Sequence, residues 1–151
     1  MNGDELAGVV DLFDGLTREE LRDALRELAF KRGDDFDSDA AADDVTAALR
    51  DYFLVSVDVD GEDVLVPGPA AFPELPERAT DLPHILDVES RSVDRDDLAT
   101  AVRARLEADA VDADADRARD LLDVTYDAEA WAPVDLDDVR DQLTAKLDDG
   151  A

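Results

Sequence analysis

The chain has no cysteine, which removes disulfides, thiolate nucleophiles and cysteine-ligated zinc together. Aromatic residues make up only 5% of it, so a core must be built from Ala, Val and Leu. Lysine occurs only at Lys31 and Lys146, and the one histidine is His84. No run approaches the roughly 18 to 20 apolar residues that span a bilayer. The beginning, "MNGDELAGVV", has no basic region and no long apolar stretch. The seven glycines are scattered, so no glycine-rich phosphate loop appears. These absences set the expectation of a soluble, cytoplasmic protein without membrane contact.

What is abundant is negative charge: 42 acidic against 15 basic side chains, a net −27. Charge of this size usually signals disorder. The 45% apolar content and clear periodicity argue instead for a folded chain. High salt reconciles the two, because at molar ionic strength the Debye length falls to about 3 Å and surface carboxylates barely repel. The Asp-rich, Lys-poor composition resembles cytoplasmic proteins of halophilic archaea. The acidity is then a solvation trait before it is a binding patch.

The N-terminal periodicity predicts three helices. Residues 3–14 place Leu6, Val9, Val10 and Phe13 on one face, ended by Asp14-Gly15. The second helix is marked by a Thr17/Glu20 capping box and a Leu16/Leu21 staple. It carries the stripe Leu21, Ala24, Leu25, Leu28, Ala29 and is closed by Lys31, Arg32 and Gly33. The third follows Asp37 or Ser38, with Ala41, Ala42, Val45, Ala48, Leu49 and Tyr52 inward. Its outward face carries Asp39, Asp43, Asp44 and Asp51 and the single Arg50.

Then comes "DYFLVSVDVDGEDVLVPG". A two-residue Asp60-Gly61 turn pairs Val57 with Val64 and Val55 with Val66, giving a hairpin over residues 53–66. Three helices followed by a hairpin is the element order of a winged helix, and residues 1–68 resemble one. Residues 69–92 hold most of the prolines. Phe72, Leu75, Leu82, Ile85 and Leu86 among them predict a packed crossing segment rather than a loose linker. Residues 93–151 read as two to three helices packed with the first half into one compact unit. Val93-Asp94 with Leu98, and Val134-Asp135 with Val139, mark two helix starts, and a short helix is expected from Ala115 to Leu122. "VTYDAEAWAP" between them reads as irregular, and residues 148–151 as fraying. The fold class is thus mainly α with one β-hairpin.

The segments "LTREELRDALRELAFKRG", "VLVPGPAAFP", "DLPHILDVESRSVDR" and "LLDVTYDAEAWAPVDLDDVR" together resemble an uncharacterised haloarchaeal family of unknown function. That resemblance implies no activity, cofactor or partner.

The functional constellations are sparse. An EF-hand loop needs Gly at position 6 and Glu at 12. Counted from Asp58, the glycine falls at position 4, so the acids around Asp60-Gly61 read as turn chemistry. DNA affinity comes from Lys and Arg on phosphates. The third helix is mostly acidic, and the wing carries Asp58, Asp60, Glu62 and Asp63 with no base, so DNA is disfavoured. His84 sits in "LPHIL" with Asp81 and Asp87 three positions to either side. None of Ser38, Ser56, Ser90 or Ser92 lies in a nucleophile-elbow motif, so His84 reads first as a packed or capping residue. No catalytic residue, metal site or cofactor is assigned. Phe72, Tyr126 and Trp131 read first as core filling under irregular segments. As scarce large side chains they are also, with His84, the candidate partner-binding residues. The leading expectation is a non-enzymatic cytoplasmic interaction or regulatory module with a protein partner. A DNA-binding winged-helix regulator is the alternative, and an enzyme is third. Nothing in the pattern sets an oligomeric state.

Overall fold

The computed structural model describes residues 1–89 and 91–149. It is mainly helical, with one two-stranded antiparallel hairpin placed after three helices, as the periodicity predicts. The chain divides into two compact units, Met1–Val93 and Asp94–Ala151. No helix among the described residues is long and apolar enough to cross a membrane.

The first unit is built around α1 (Gly3–Leu12). Asn2 and Glu5 form a capping box there, which the sequence reading overlooked. Five consecutive residues, Leu6 to Val10, are buried, because α2, α3 and the hairpin all contact this short helix. Asp14 and Gly15 take positive φ and turn the chain. Helix α2 (Arg18–Arg32) then starts at the expected Thr17/Glu20 box and ends at Gly33 in the left-handed conformation, φ 74°. Leu16 and Leu21, the staple pair, are both fully buried.

Helix α3 (Ser38–Arg50) is capped by Asp37, whose side chain accepts from the Asp39 and Ala40 N–H groups. Its inward face is narrower than expected: Val45 and Ala48 are buried, Ala41 and Leu49 half-buried, and Ala42 exposed. Tyr52 follows at φ 64°, a strained value for a bulky residue, while its side chain is completely buried. The Phe53 N–H reaches back to the Ala48 carbonyl, which closes the helix end and turns the chain into the hairpin.

Strands β1 (Leu54–Val59) and β2 (Glu62–Pro67) shift the expected bounds by one residue and keep the expected register, Val57 opposite Val64 and Val55 opposite Val66. Asp60 (φ 54°) and Gly61 (φ 84°) supply the positive φ of the turn. The four valines are buried, but Leu54 and Leu65, on the opposite face, join the core of the three helices. Leu16 and Leu65 exchange both backbone hydrogen bonds, so the segment between α1 and α2 pairs with β2.

The proline-rich stretch belongs to the first unit and contains one short helix, α4 (Leu82–Ile85). Its anchors are Pro76, Ala79 and Leu82, linked by Ala79 N–H to the Pro76 carbonyl and Leu82 N–H to the Ala79 carbonyl. Phe72, Leu75 and Ile85, expected among the packed residues, are exposed. The prolines hold the backbone extended here, so few side chains can turn inward.

The second unit holds three helices, α5 (Arg95–Asp112), α6 (Ala115–Trp131) and α7 (Asp137–Asp149). Helix α6 is far longer than the predicted Ala115–Leu122. Leu121, Val124, Thr125 and Ala128 carry its buried stripe through "VTYDAEAW", and that burial overrides the strand-like preference of Val-Thr-Tyr. Tyr126 and Trp131 therefore stand on a helix, which corrects their placement in an irregular segment. Helix α7 starts two residues after Asp135 and runs to Asp149, so Asp148 and Asp149 are helical rather than frayed. The expected fraying of residues 150–151 lies outside the described residues. Asp94 does precede α5, but its side chain makes no capping bond.

Candidate functional site

Arg18 and Arg22 lie one helical turn apart on α2, beside the buried stripe that includes Leu25. Across from them α3 presents Ala41, Ala42 and Val45. Alanines are too short to fill the space between the two helices, and a groove of about 440 Å³ remains. Its floor is apolar. Its rim carries the two arginines with Glu19, Ser38 and Asp39. The Arg18 guanidinium donates to Thr46 Oγ1 at 3.4 Å. The exposed Arg22 makes no hydrogen bond or ion pair among the described residues. In a chain of net charge −27, an arginine left unpaired over an apolar floor is the feature most suited to holding a ligand. Ala42, read from periodicity as core, lines this groove instead.

Most other arginines are committed to structure. Arg91, in the first unit, donates to Glu20 at 2.6 Å and to Glu62 at 2.7 Å. It thereby ties the end of the unit to the start of α2 and to the hairpin. Burial pushes the Glu20 carboxyl up, but hydrogen bonds from Arg91 and the Thr17 N–H outweigh it and leave it below its usual range. Arg91 itself is raised, chiefly by its hydrogen bond to Glu20.

In the second unit the Arg140 guanidinium forks onto both oxygens of Glu129, at 2.8 and 2.9 Å, and also pairs with Asp137. Glu129 is lowered by Arg140 and by the Leu136 N–H. Glu129, Asp135 and Asp137 are the one trio among the described residues with carboxylate oxygens close enough to share a cation. Arg140 bonds Glu129 and Asp137, and the Leu136 and Asp137 N–H groups donate to Glu129 and Asp135. Arg103 spans Glu107, Asp138 and the Asp135 carbonyl in a second clasp.

The candidate partner residues divide between the units. Phe72 is 83% exposed, which overturns its reading as core filling. His84 is exposed on α4 while its neighbour Leu82 is buried, so it is not a packed histidine. Tyr126 is exposed too, with the Arg140 guanidinium 4.6 Å over its ring. Trp131 is half-buried at the end of α6. Phe72 and His84 belong to the first unit, Tyr126 and Trp131 to the second. Of the serines considered beside His84, Ser90 lies outside the described residues, Ser56 and Ser92 are exposed, and Ser38 sits on the groove rim. In the hairpin, Asp58 accepts the Gly61 N–H at 2.9 Å, a use of the acid in the turn itself.

The groove and the exposed Phe30 on α2 escaped the sequence reading. Arg18 and Arg22 at i, i+4 opposite an alanine-rich helix was the available signal for the first.

No curated protein and no solved structure matches the chain. A family of unknown function, DUF7109, matches residues 4–148, taking in all but the first residue of α1, all of α2 to α6 with the hairpin, and all but the last residue of α7. The chain belongs to this DUF7109 family.

Proposed function

We propose that this protein is a non-enzymatic interaction module of a halophilic archaeal cytoplasm. Its N-terminal unit is a winged-helix-like scaffold that docks a protein segment in the α2–α3 groove. The observation that carries the reading is the apolar floor of Leu25, Ala41 and Val45 beneath the unpaired Arg22. A floor of this kind with a few polar groups at its rim is the usual make-up of a binding cleft. Three helices, a hairpin and the Leu16–Leu65 bridge support the winged-helix-like description. The exposed Asp39 and Asp43 on α3 and Asp58, Asp60 and Asp63 on the hairpin weigh against a DNA-reading role.

Affinity capture at molar KCl tests the reading. The wild-type chain is expected to retain a protein that Arg22→Glu loses. Tight, sequence-selective operator binding by the wild type would sink it in favour of a DNA regulator. The halophilic origin is tested separately by circular dichroism during a KCl titration, where full folding in low salt would count against it.

A further inference from the structure

The α2–α3 groove has an apolar floor, and the same unit displays a large apolar side chain outside it. Phe72 is the most exposed large apolar residue in the described structure. Its backbone is nevertheless held in place. The Phe72 N–H donates to Asp4 Oδ1 at 2.9 Å, and the Glu74 N–H donates to the Asp4 carbonyl at 2.9 Å. Just upstream, Gly68 N–H bonds to the Phe53 carbonyl and Ala70 N–H to that of Tyr52. Pro69 and Pro73 restrict φ within the same stretch. Glu74 also lies against α1, its carbonyl so close to Gly8 that any Cβ there would sit 2.1 Å away. The loop therefore has little freedom to fold the ring inward, and the ring is presented outward at little entropic cost on binding.

Phe72 is not among the residues lining the α2–α3 groove of its own chain. We propose that it fills the groove of a second copy, so that the chain self-associates head to tail. This rests on the reading of the groove as a docking site. The fit is chemical as well as steric. A phenyl ring suits a floor of Leu25, Ala41, Ala42 and Val45, and about 440 Å³ accommodates it with its flanking Pro73. Asp4, whose Oδ1 accepts the Phe72 N–H, and the exposed Glu74 two residues on bring negative charge near the ring, opposite in sign to Arg22 and Arg18 on the groove rim. Glu19 and Asp39 on the rim repel those carboxylates at low ionic strength; molar salt screens that repulsion and the attraction to the arginines alike, so apolar burial carries the contact there. Since ring and groove are different surfaces, the contact is heterologous, and each added copy offers a free groove or a free ring to the next unless the assembly closes into a ring.

Sedimentation velocity on the full chain in molar KCl, over a wide concentration range, tests this. The wild type is expected to form concentration-dependent oligomers. Phe72→Ala removes the ring and Ala42→Glu blocks the groove. Both positions are exposed, so both variants should keep the wild-type circular dichroism. Each should associate more than about tenfold more weakly, as expected for an interface anchor. Arg22→Glu is the second groove variant and should weaken association in the same direction. An equimolar mixture of Phe72→Ala and Ala42→Glu retains one intact groove and one intact ring, and should give heterodimers that grow no further. A monomeric wild type, undiminished association of Phe72→Ala, or a mixture that stays monomeric would each overturn the proposal. If the wild type is monomeric yet loses a captured protein on Arg22→Glu, self-association fails and the docking reading stands.

Discussion

The two units solve the same problem of a small, aromatic-poor core by different means. The first unit relies on the backbone. Six of the seven glycines and five of the six prolines lie within residues 1–93. Two of those glycines permit close approaches that a Cβ would forbid, Gly8 to the Glu74 carbonyl and Gly68 to the Tyr52 carbonyl. The caps of α1 and α2 are complete, and the core is rich in leucine and includes Tyr52. The second unit is three helices around Val, Leu and Ala, with no glycine among its described residues. Its geometry is tied by cations: Arg103 and Arg140 bridge carboxylates, and Lys146 donates to the Val111 and Ala113 carbonyls. The first unit adds long-range ion pairs, Arg91 with Glu20 and Glu62 and Lys31 with Asp81, to packing that turns and close approaches already specify. Where smooth helices could slide past one another, charged clasps select one arrangement.

That contrast can be broken at its strongest point. Gly8→Val puts side-chain atoms into the Glu74 backbone and should cost about 3 kcal/mol or more in denaturant unfolding. A loss under 1 kcal/mol would mean that the proline-rich stretch is not packed on α1 as described.

The Arg91 tie comes next. Glu20→Gln keeps an oxygen for the Thr17 N–H but abolishes the ion pair, for an expected loss of about 1–2 kcal/mol at neutral pH. Because the folded Glu20 carboxyl is depressed, its contribution is present above the unfolded value near 4.5 and disappears as pH falls through the lower folded value. The variant should therefore show a shallower acid limb than the wild type. Parallel limbs would exclude this linkage.

In the second unit Arg140→Ala should cost about 1 kcal/mol in dilute salt and less in molar KCl, where partly exposed pairs are screened. A loss that grows with salt would show that the guanidinium acts by packing on Tyr126 instead. The smallest effect compares two helix starts. Thr17→Ala should cost about 1 kcal/mol, since its hydroxyl caps α2. Asp94→Ala should change stability by less than about 0.5 kcal/mol, because that side chain caps nothing. Equal losses in thermal melts would erase the distinction.

Much of the fold was legible because its signals are local. The Thr17/Glu20 box, Gly33 and the Asp60-Gly61 turn each act within a few residues, and the valine register follows from the turn alone. Errors arose where a distant partner decides. The extent of α6 depends on burial of Val124, Thr125 and Ala128 against other helices, which local propensity does not contain. Asp94 carries the same local pattern as Asp135, yet only Asp135 turns its carboxylate onto a backbone N–H at its helix start, that of Asp137. The candidate site was still less legible. Arg18 and Arg22 are visible as a spacing, but the groove exists only because α3 sets alanines opposite them. Phe72 was visible as a scarce aromatic, and only its backbone bonds to Asp4 show that it is held outward.

By itself, then, the amino-acid order determined that the main helices exist, the hairpin and its register, and the net charge of −27. These depend on periodicity, turn stereochemistry and composition, all properties of neighbouring residues. Tertiary structure alone decided which arginines are consumed in clasps and that Arg22, unpaired among the described residues, stands over an apolar floor. Pairing and burial are settled between residues far apart in the chain, where the length of a side chain such as Ala42 matters only once the opposite helix is in place.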